Sequence, residues 1–177
     1  LKDIVIGVPL ADVLTTLVLM IEEQLEGGMG SVMLVDESGK HLLSGAGPNL
    51  PKAYMDAVDG VAVGPAVGSC GTAVYRKEAV IVEDIYDSEL WAAYLDLVQP
   101  FDMQTCWSIP VFSREGEVLG TFAFYSTSVR NPTVAELKIA NEAAHLASIA
   151  VGRDRAERRI RYLAQHDPLT GLPNRQN

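Results

Sequence analysis

The chain has 177 residues, 48% of them hydrophobic, which is enough for one full core and an extension beyond it. A formal net charge of -9 argues against nucleic acid or an anionic membrane as partner, because their phosphates would be repelled. Two cysteines are too few for a disulfide framework and fit a reducing, cytoplasmic setting, and no apolar run approaches the about 18 residues of a membrane span.

No basic segment leading into an apolar one marks a secretory signal, and the opening residues read as the interior of a longer polypeptide. From Pro9 to about Glu26 the pattern is helical: Leu10, Leu14, Leu17, Ile21 and Leu25 recur at three- and four-residue steps, and Gly27-Gly28 suits the stop. "SVMLVD" and "HLLSGA" flank "ESGK" as a hairpin, and the first strand is apolar at successive positions, so both faces of its sheet should be covered. "LPKAYMDAV" is a short helix opened by Pro51, "SCGTAVYRK" a second one capped by Ser69, and "AVIVEDI" a strand.

Tyr86 to Asp102 is the longest connection between strands, and within it "DSELWAAYLDLV" predicts a small helix from Ser88, closed by Pro100. "QTCWSIPVF" and "VLGTFAFYS" form a second hairpin across "SREGE"; Pro110 cannot donate to a ladder and demands a bulge or a locally open edge. Thr133 to about Ala164 is one long helix with two apolar stripes. Leu137, Ala140, Ala144, Ala147 and Val151 form one and Ile139, Ala143, Leu146 and Ala150 the other, so the helix can cover a sheet with one face and meet a partner helix with the other. Past Gly152 the helix turns charged, with five arginines in "GRDRAERRIR", and Ala156, Ile160 and Leu163 keep a sparse seam able to pair with a second copy. The order predicts an α+β fold, an antiparallel sheet between terminal helices and a layer of small helices and loops.

Four segments together resemble a GAF domain of the bacterial multidomain sensors that make or break cyclic di-GMP. They are "GPAVGSCGTAVYRKEAVIVEDI", Trp91 with Tyr94, "CWSIPVFSREGEVLGTFAFYS" and "AHLASIAVGR". The tail "LAQHDPLTGLPNR" is similar to the opening of GGDEF domains, the diguanylate cyclases. The resemblance implies a GAF-like sensory domain over 1–152, a helical signalling linker over 153–165 and the truncated start of a GGDEF domain over 166–177. It places the terminal helices on one face of the sheet and the short helices and loops on the other, with a pocket for an unidentified small molecule between sheet and short helices. It further implies a homodimer through the terminal helices and a downstream GGDEF domain as partner. The cyclase residues would lie outside this chain, which then carries no catalytic residue of its own, although the full-length protein would be a diguanylate cyclase.

Cys70 is the most tempting nucleophile, since helix-start N–H groups favour a thiolate. It matches the "CGTA" element of free methionine-R-sulfoxide reductases, which share the GAF fold, so an oxidoreductase using Cys70 with Cys106 is an alternative. Against it, those enzymes carry their principal cysteine in the loop before the "CWSIP"-like strand, and Tyr86 to Met103 has none. Their substrate carboxylates fall at Cys106, Ala123 and Tyr125, none of them acidic. His41, His145 and His166 lack the paired spacing of a metal or haem site, no cysteine is followed by histidine as in bilin attachment, and no Asn-Lys-Phe-Asp-Glu cyclic-nucleotide signature occurs. The cofactor, if there is one, is unknown, and "GVAVGPAVGSCG" serves turns rather than phosphates.

Strand alternation puts Cys106 and Ser108 on one face, and Thr121, Ala123 and Tyr125 on one face of the next strand. The reductase placement turns these toward the pocket, and Trp107, Phe122 and Phe124 toward the terminal helices. Asp84, at a strand end, would anchor a polar ligand or cap the next turn, and Trp91 and Tyr94 would belong to a lid. A purely structural dimerisation module with a vestigial pocket is the other reading.

Overall fold

The computed structural model describes residues 7–174. Eleven helices and strands follow in chain order: α1 (Leu10–Glu22), β1 (Gly28–Val35), β2 (His41–Ala46), α2 (Lys52–Val58), β3 (Val61–Ala62), α3 (Gly68–Arg76), β4 (Val80–Val82), α4 (Leu95–Val98), β5 (Thr105–Phe112), β6 (Val118–Ser126) and α5 (Val134–Gln165). The strands form one antiparallel sheet in the order β3-β2-β1-β6-β5-β4, so the chain is α+β as its pattern predicts. β3, only two residues long, carries no alternation from which it could be read.

Neighbouring strand residues divide between two apolar layers. Val32, Trp107, Phe122 and Phe124 pack with α1 and α5, whereas Met33, Cys106, Ala123 and Tyr125 pack with α2, α3 and the segment after β4. That is why β1 is apolar at successive positions: Val32 fills one layer and Met33 the other. On the helix side Trp107 and Phe124 stack at 4.7 Å, with the Arg130 guanidinium 5.1 Å above the indole. β6 runs against β1 at very close range; a Cβ at Gly120 would overlap the carbonyl oxygen of Met33. Pro110 meets both expected conditions, since β4 reaches only to the Val80–Ser108 pair and the β5–β6 register shifts between Val111 and Phe112.

Two expectations are corrected. Ser69 does not cap α3, whose preceding residue is Val67 and whose first turn has no side-chain cap; the hydroxyl is engaged elsewhere. Residues 86–102 form no single helix either. They make 3-10 turns at Ile85–Asp87, Glu89–Trp91 and Gln99–Phe101 around the four-residue α4, because Asp84 and Ser88 each bond a backbone N–H two residues on and restart the chain.

α5 begins with a capping box between Thr133 and Glu136, and Glu136 also pairs with Arg130. Its sheet side is a run of alanines, Ala140, Ala143, Ala144 and Ala147, closed by Val151. Ala143 therefore sits with the first stripe. Of the rest of the second, Ile139 packs half-buried against the helix-side layer, while Leu146 and Ala150 border a groove of about 500 Å3 between α1 and α5, joined there by Ile149 and Met20. After Val151 no residue of α5 is buried, and Ile160 is 68% exposed. Beyond Gln165 the chain turns back on itself, the Asp167 carboxylate accepting from the N–H groups of Leu169 and Thr170 and the Leu172 carbonyl accepting from Asp167. This turn stays outside both apolar layers, with Leu169 95% exposed. Arg175 to Asn177, the end of the expected GGDEF start, lie outside the described residues. Among the described residues no helix is long and apolar enough to cross a membrane.

Candidate functional site

The layer opposite the terminal helices contains the candidate site. α3 lies over β5 and β6, and it starts at Gly68 with φ +56, a backbone conformation open to glycine but costly for most side chains. The missing Cβ also lets the Trp91 ring lie on the helix start, where a methyl group would stand 3.3 Å from it. Ser69 then joins three elements: its hydroxyl donates to the Cys106 carbonyl of β5 at 3.0 Å and accepts from the Trp91 indole N–H at 3.1 Å. From α2, Tyr54 donates its hydroxyl proton to the Tyr125 oxygen at 2.8 Å, and the rings meet edge to face at 5.4 Å. Between these groups remains a void of about 30 Å3, bordered by Tyr54, Ser69, Cys70, Trp91, Tyr94 and Tyr125. Small-molecule pockets run to about 300–1,000 Å3, so in this conformation the site is too small for such a ligand.

Of the residues singled out in the sequence, Cys70, Trp91, Tyr94 and Tyr125 border the void. Cys106, Ser108 and Thr121 are fully buried behind it, facing Cys70 from β5 and β6. Asp84 is a correction: it does not border the void, and its carboxylate accepts from the Tyr86 N–H to cap a turn. Tyr54 and Ser69 were not foreseen as lining. Tyr54 stands 71 residues from its partner, a separation over which no local pattern speaks, and Ser69 carried a cap signature that misled.

The floor is polar in an apolar frame. The Cys106 thiol beside it lowers the pKa of Cys70; burial opposes this, and the hydroxyls of Ser108, Thr121 and Tyr125 add to the lowering. Burial, then the Cys70 neighbour, push the Cys106 thiol up. Burial likewise raises Tyr54 and Tyr125, which remain neutral phenols. By geometry the buried Ser108 and Thr121 hydroxyls reach no hydrogen-bond partner, so they act on Cys70 as nearby dipoles and not through a formed bond. Among the described residues no group of three or more metal-ligating side chains converges.

A family model for the GAF domain matches residues 8–152, which takes in both apolar layers and the void. The chain belongs to the GAF family. This GAF domain is 37% identical over 151 residues to the methyl sulfide methyltransferase-associated sensor of Methanosarcina acetivorans, covering 85% of the chain but 15% of that relative. The chain thus spans a small fraction of the relative's length. Among solved structures, the GAF domain of a phosphoenolpyruvate-protein phosphotransferase from Coxiella burnetii superposes with TM-score 0.72 at 19% identity, over 89% of this chain and 91% of that one. The reduced form of fRMsr of Staphylococcus aureus gives 0.66 at 13% identity, over 85% and 88%. At such identities the likeness is one of fold. The reductase alternative gains nothing from the GAF domain's own site, where the positions of the substrate carboxylates hold a thiol, a methyl group and a phenol.

Proposed function

We propose that this GAF domain is a cytoplasmic small-molecule sensor that regulates, and does not itself catalyse, by controlling a diguanylate cyclase domain downstream of α5. The observation that carries the reading is the division of α5. Its first half is clamped to the sheet through Ala140 to Val151, while its last fourteen residues, from Gly152 to Gln165, have no buried side chain. A helix held at one end and free at the other suits transmission. The resemblance of "LAQHDPLTGLPNR" to the start of a GGDEF domain supplies the output, and the sensor named among the relatives supports the input. Ligand entry requires the Trp91 indole to leave Ser69, because the void has no room for a larger molecule. The ligand then biases the open form by its difference in affinity between the two states.

Native mass spectrometry of protein purified from cells tests the input. An adduct of defined mass that raises or lowers cyclic di-GMP synthesis by the full-length protein is the expected result. A clean apo protein, with synthesis indifferent to Trp91→Ala, would favour the structural dimerisation module.

A further inference from the structure

A second cleft lies beside α5, apart from the void. β4 pairs with β5 only from Val80–Ser108 to Val82–Cys106, so past Ser108 no strand covers that edge of β5 among the described residues, and Pro110 has no N–H to offer there. The uncovered end of β5, the residues leading into β4 and one side of α5 enclose about 280 Å3, just under the about 300–1,000 Å3 of small-molecule pockets. Pro110, Phe112 and Ala144 contribute an apolar floor, and Glu78, Asn141, His145 and Ser148 a polar rim. Donors of that rim are already committed. The Asn141 amide nitrogen donates to the Leu137 carbonyl at 2.8 Å, and the Ser148 hydroxyl donates to the Phe112 carbonyl. What remains is a set of acceptors: the Glu78 carboxylate, the Asn141 and Ser148 oxygens and, in its neutral form, one nitrogen of the His145 ring.

We infer that this cleft is a second ligand site, one that takes a small organic ammonium ion with an apolar body. A ring of acceptors selects a ligand that brings donors, and an ammonium group has N–H donors and no acceptor. The Glu78 carboxylate meets its charge, and a hydrogen bond to an ionised group is roughly twice as strong as one between neutral groups. The net charge of -9 attracts cations and repels anions at long range. Pro110, Phe112 and Ala144 cover the body of the ligand, a surface that a bare metal ion would not use. Glu78 and His145 alone would also fall short of a metal's ligand set, and among the described residues no group of three such side chains converges. The cleft shares no residue with the groove beside α1, since Asn141, His145 and Ser148 border the one and Leu146, Ile149 and Ala150 the other. A ligand held here touches the half of α5 that is clamped to the sheet, so the site goes beyond the sensing pocket proposed above and does not depend on it.

Phenethylamine is titrated into the isotope-labelled chain and followed by the chemical shifts of its amides. The expected result is saturable shifts at Ala79, Ala144, His145 and Ser148, with the residues around the Trp91 void unmoved. Phenethyl alcohol has the same body without the charge, and hydrocinnamate has the opposite charge; each should bind at least about tenfold more weakly. Glu78→Gln keeps the shape of an exposed side chain and should weaken the amine at least about tenfold. Ala79→Phe, at the exposed rim, should fill the cleft and abolish the shifts. Circular dichroism checks the fold of both variants. No saturable shift at millimolar amine, equal binding of amine and alcohol, unchanged binding in folded Glu78→Gln or Ala79→Phe, or shifts centred on the Trp91 void would each overturn the inference.

Discussion

Gly120 has no side chain because the β1 backbone occupies the space where one would stand. Gly120→Ala must push β6 away from Met33, and a well-packed layer resists such overpacking by about 1–3 kcal/mol. A fall of that size in urea-unfolding free energy is expected; an unchanged midpoint would show that the two strands can part without cost. At this scale the sequence was informative wherever alternation applies. Trp107, Phe122 and Phe124 face the helices, and Cys106, Ala123 and Tyr125 the other layer, as the period of two requires. It was uninformative where one hydroxyl has two uses. Ser69 satisfies the local rule for a cap, yet the Cys106 carbonyl and the Trp91 indole compete for it and win.

Among the elements, α5 has the best-defined start. Thr133 accepts from the Glu136 N–H, Glu136 accepts from the Thr133 N–H, and Arg130 holds the carboxylate from outside. Thr133→Ala should cost about 1 kcal/mol. The charge of Glu136 adds a pH-dependent part. Burial works to raise its pKa, but hydrogen bonds from Arg130 and Thr133 outweigh this and leave it below its ordinary value of 4.5. The folded state thus binds the proton less readily than the unfolded one, so the contribution is present above about pH 4.5 and disappears as pH falls through the lower folded value. Glu136→Gln retains a capping side chain and removes the charge. Its deficit against wild type should be visible in urea melts at pH 7 and shrink below pH 4.5; a constant deficit would assign the whole effect to the cap. Long elements such as α5 were legible because their periods repeat many times, and so was the β5–β6 hairpin that turns at Ser113 to Glu117. The segment from Tyr86 to Asp102 was not. Its apolar residues have helical spacing, but Asp84 and Ser88 offer the backbone nearby oxygens and interrupt it.

Among the described residues, the terminal helices leave an apolar groove that the two layers do not fill. The groove between α1 and α5 carries Met20 at 44% and Ile149 at 57% exposure, and at its far end it is bordered by Arg153, Asp154 and Glu157. If the terminal helices form a dimer, as proposed for this family member, Met20→Glu with Ile149→Glu should convert a dimer into a monomer by light scattering at the same concentration. A dimer that persists would move the interface elsewhere. Transmission through the helix can be tested separately. About seven residues inserted between Arg158 and Arg159 turn the output by only about 20°, whereas about two turn it by about 200°. If the output is the proposed diguanylate cyclase, its regulation in the full-length protein should survive the first insertion and fail with the second; equal behaviour would show that helix phase carries no signal.

Cys106 and Trp107 are consecutive residues of β5, and they face opposite ways. One peptide bond is thus the whole thickness between the layer that holds the thiols and the aromatic stack, and from that stack Arg130 reaches Glu136 in the first turn of α5. Close packing leaves neither side slack to absorb a shift of the strand. If α5 transmits as proposed, a strain on the thiol side reaches the root of that helix through this strand.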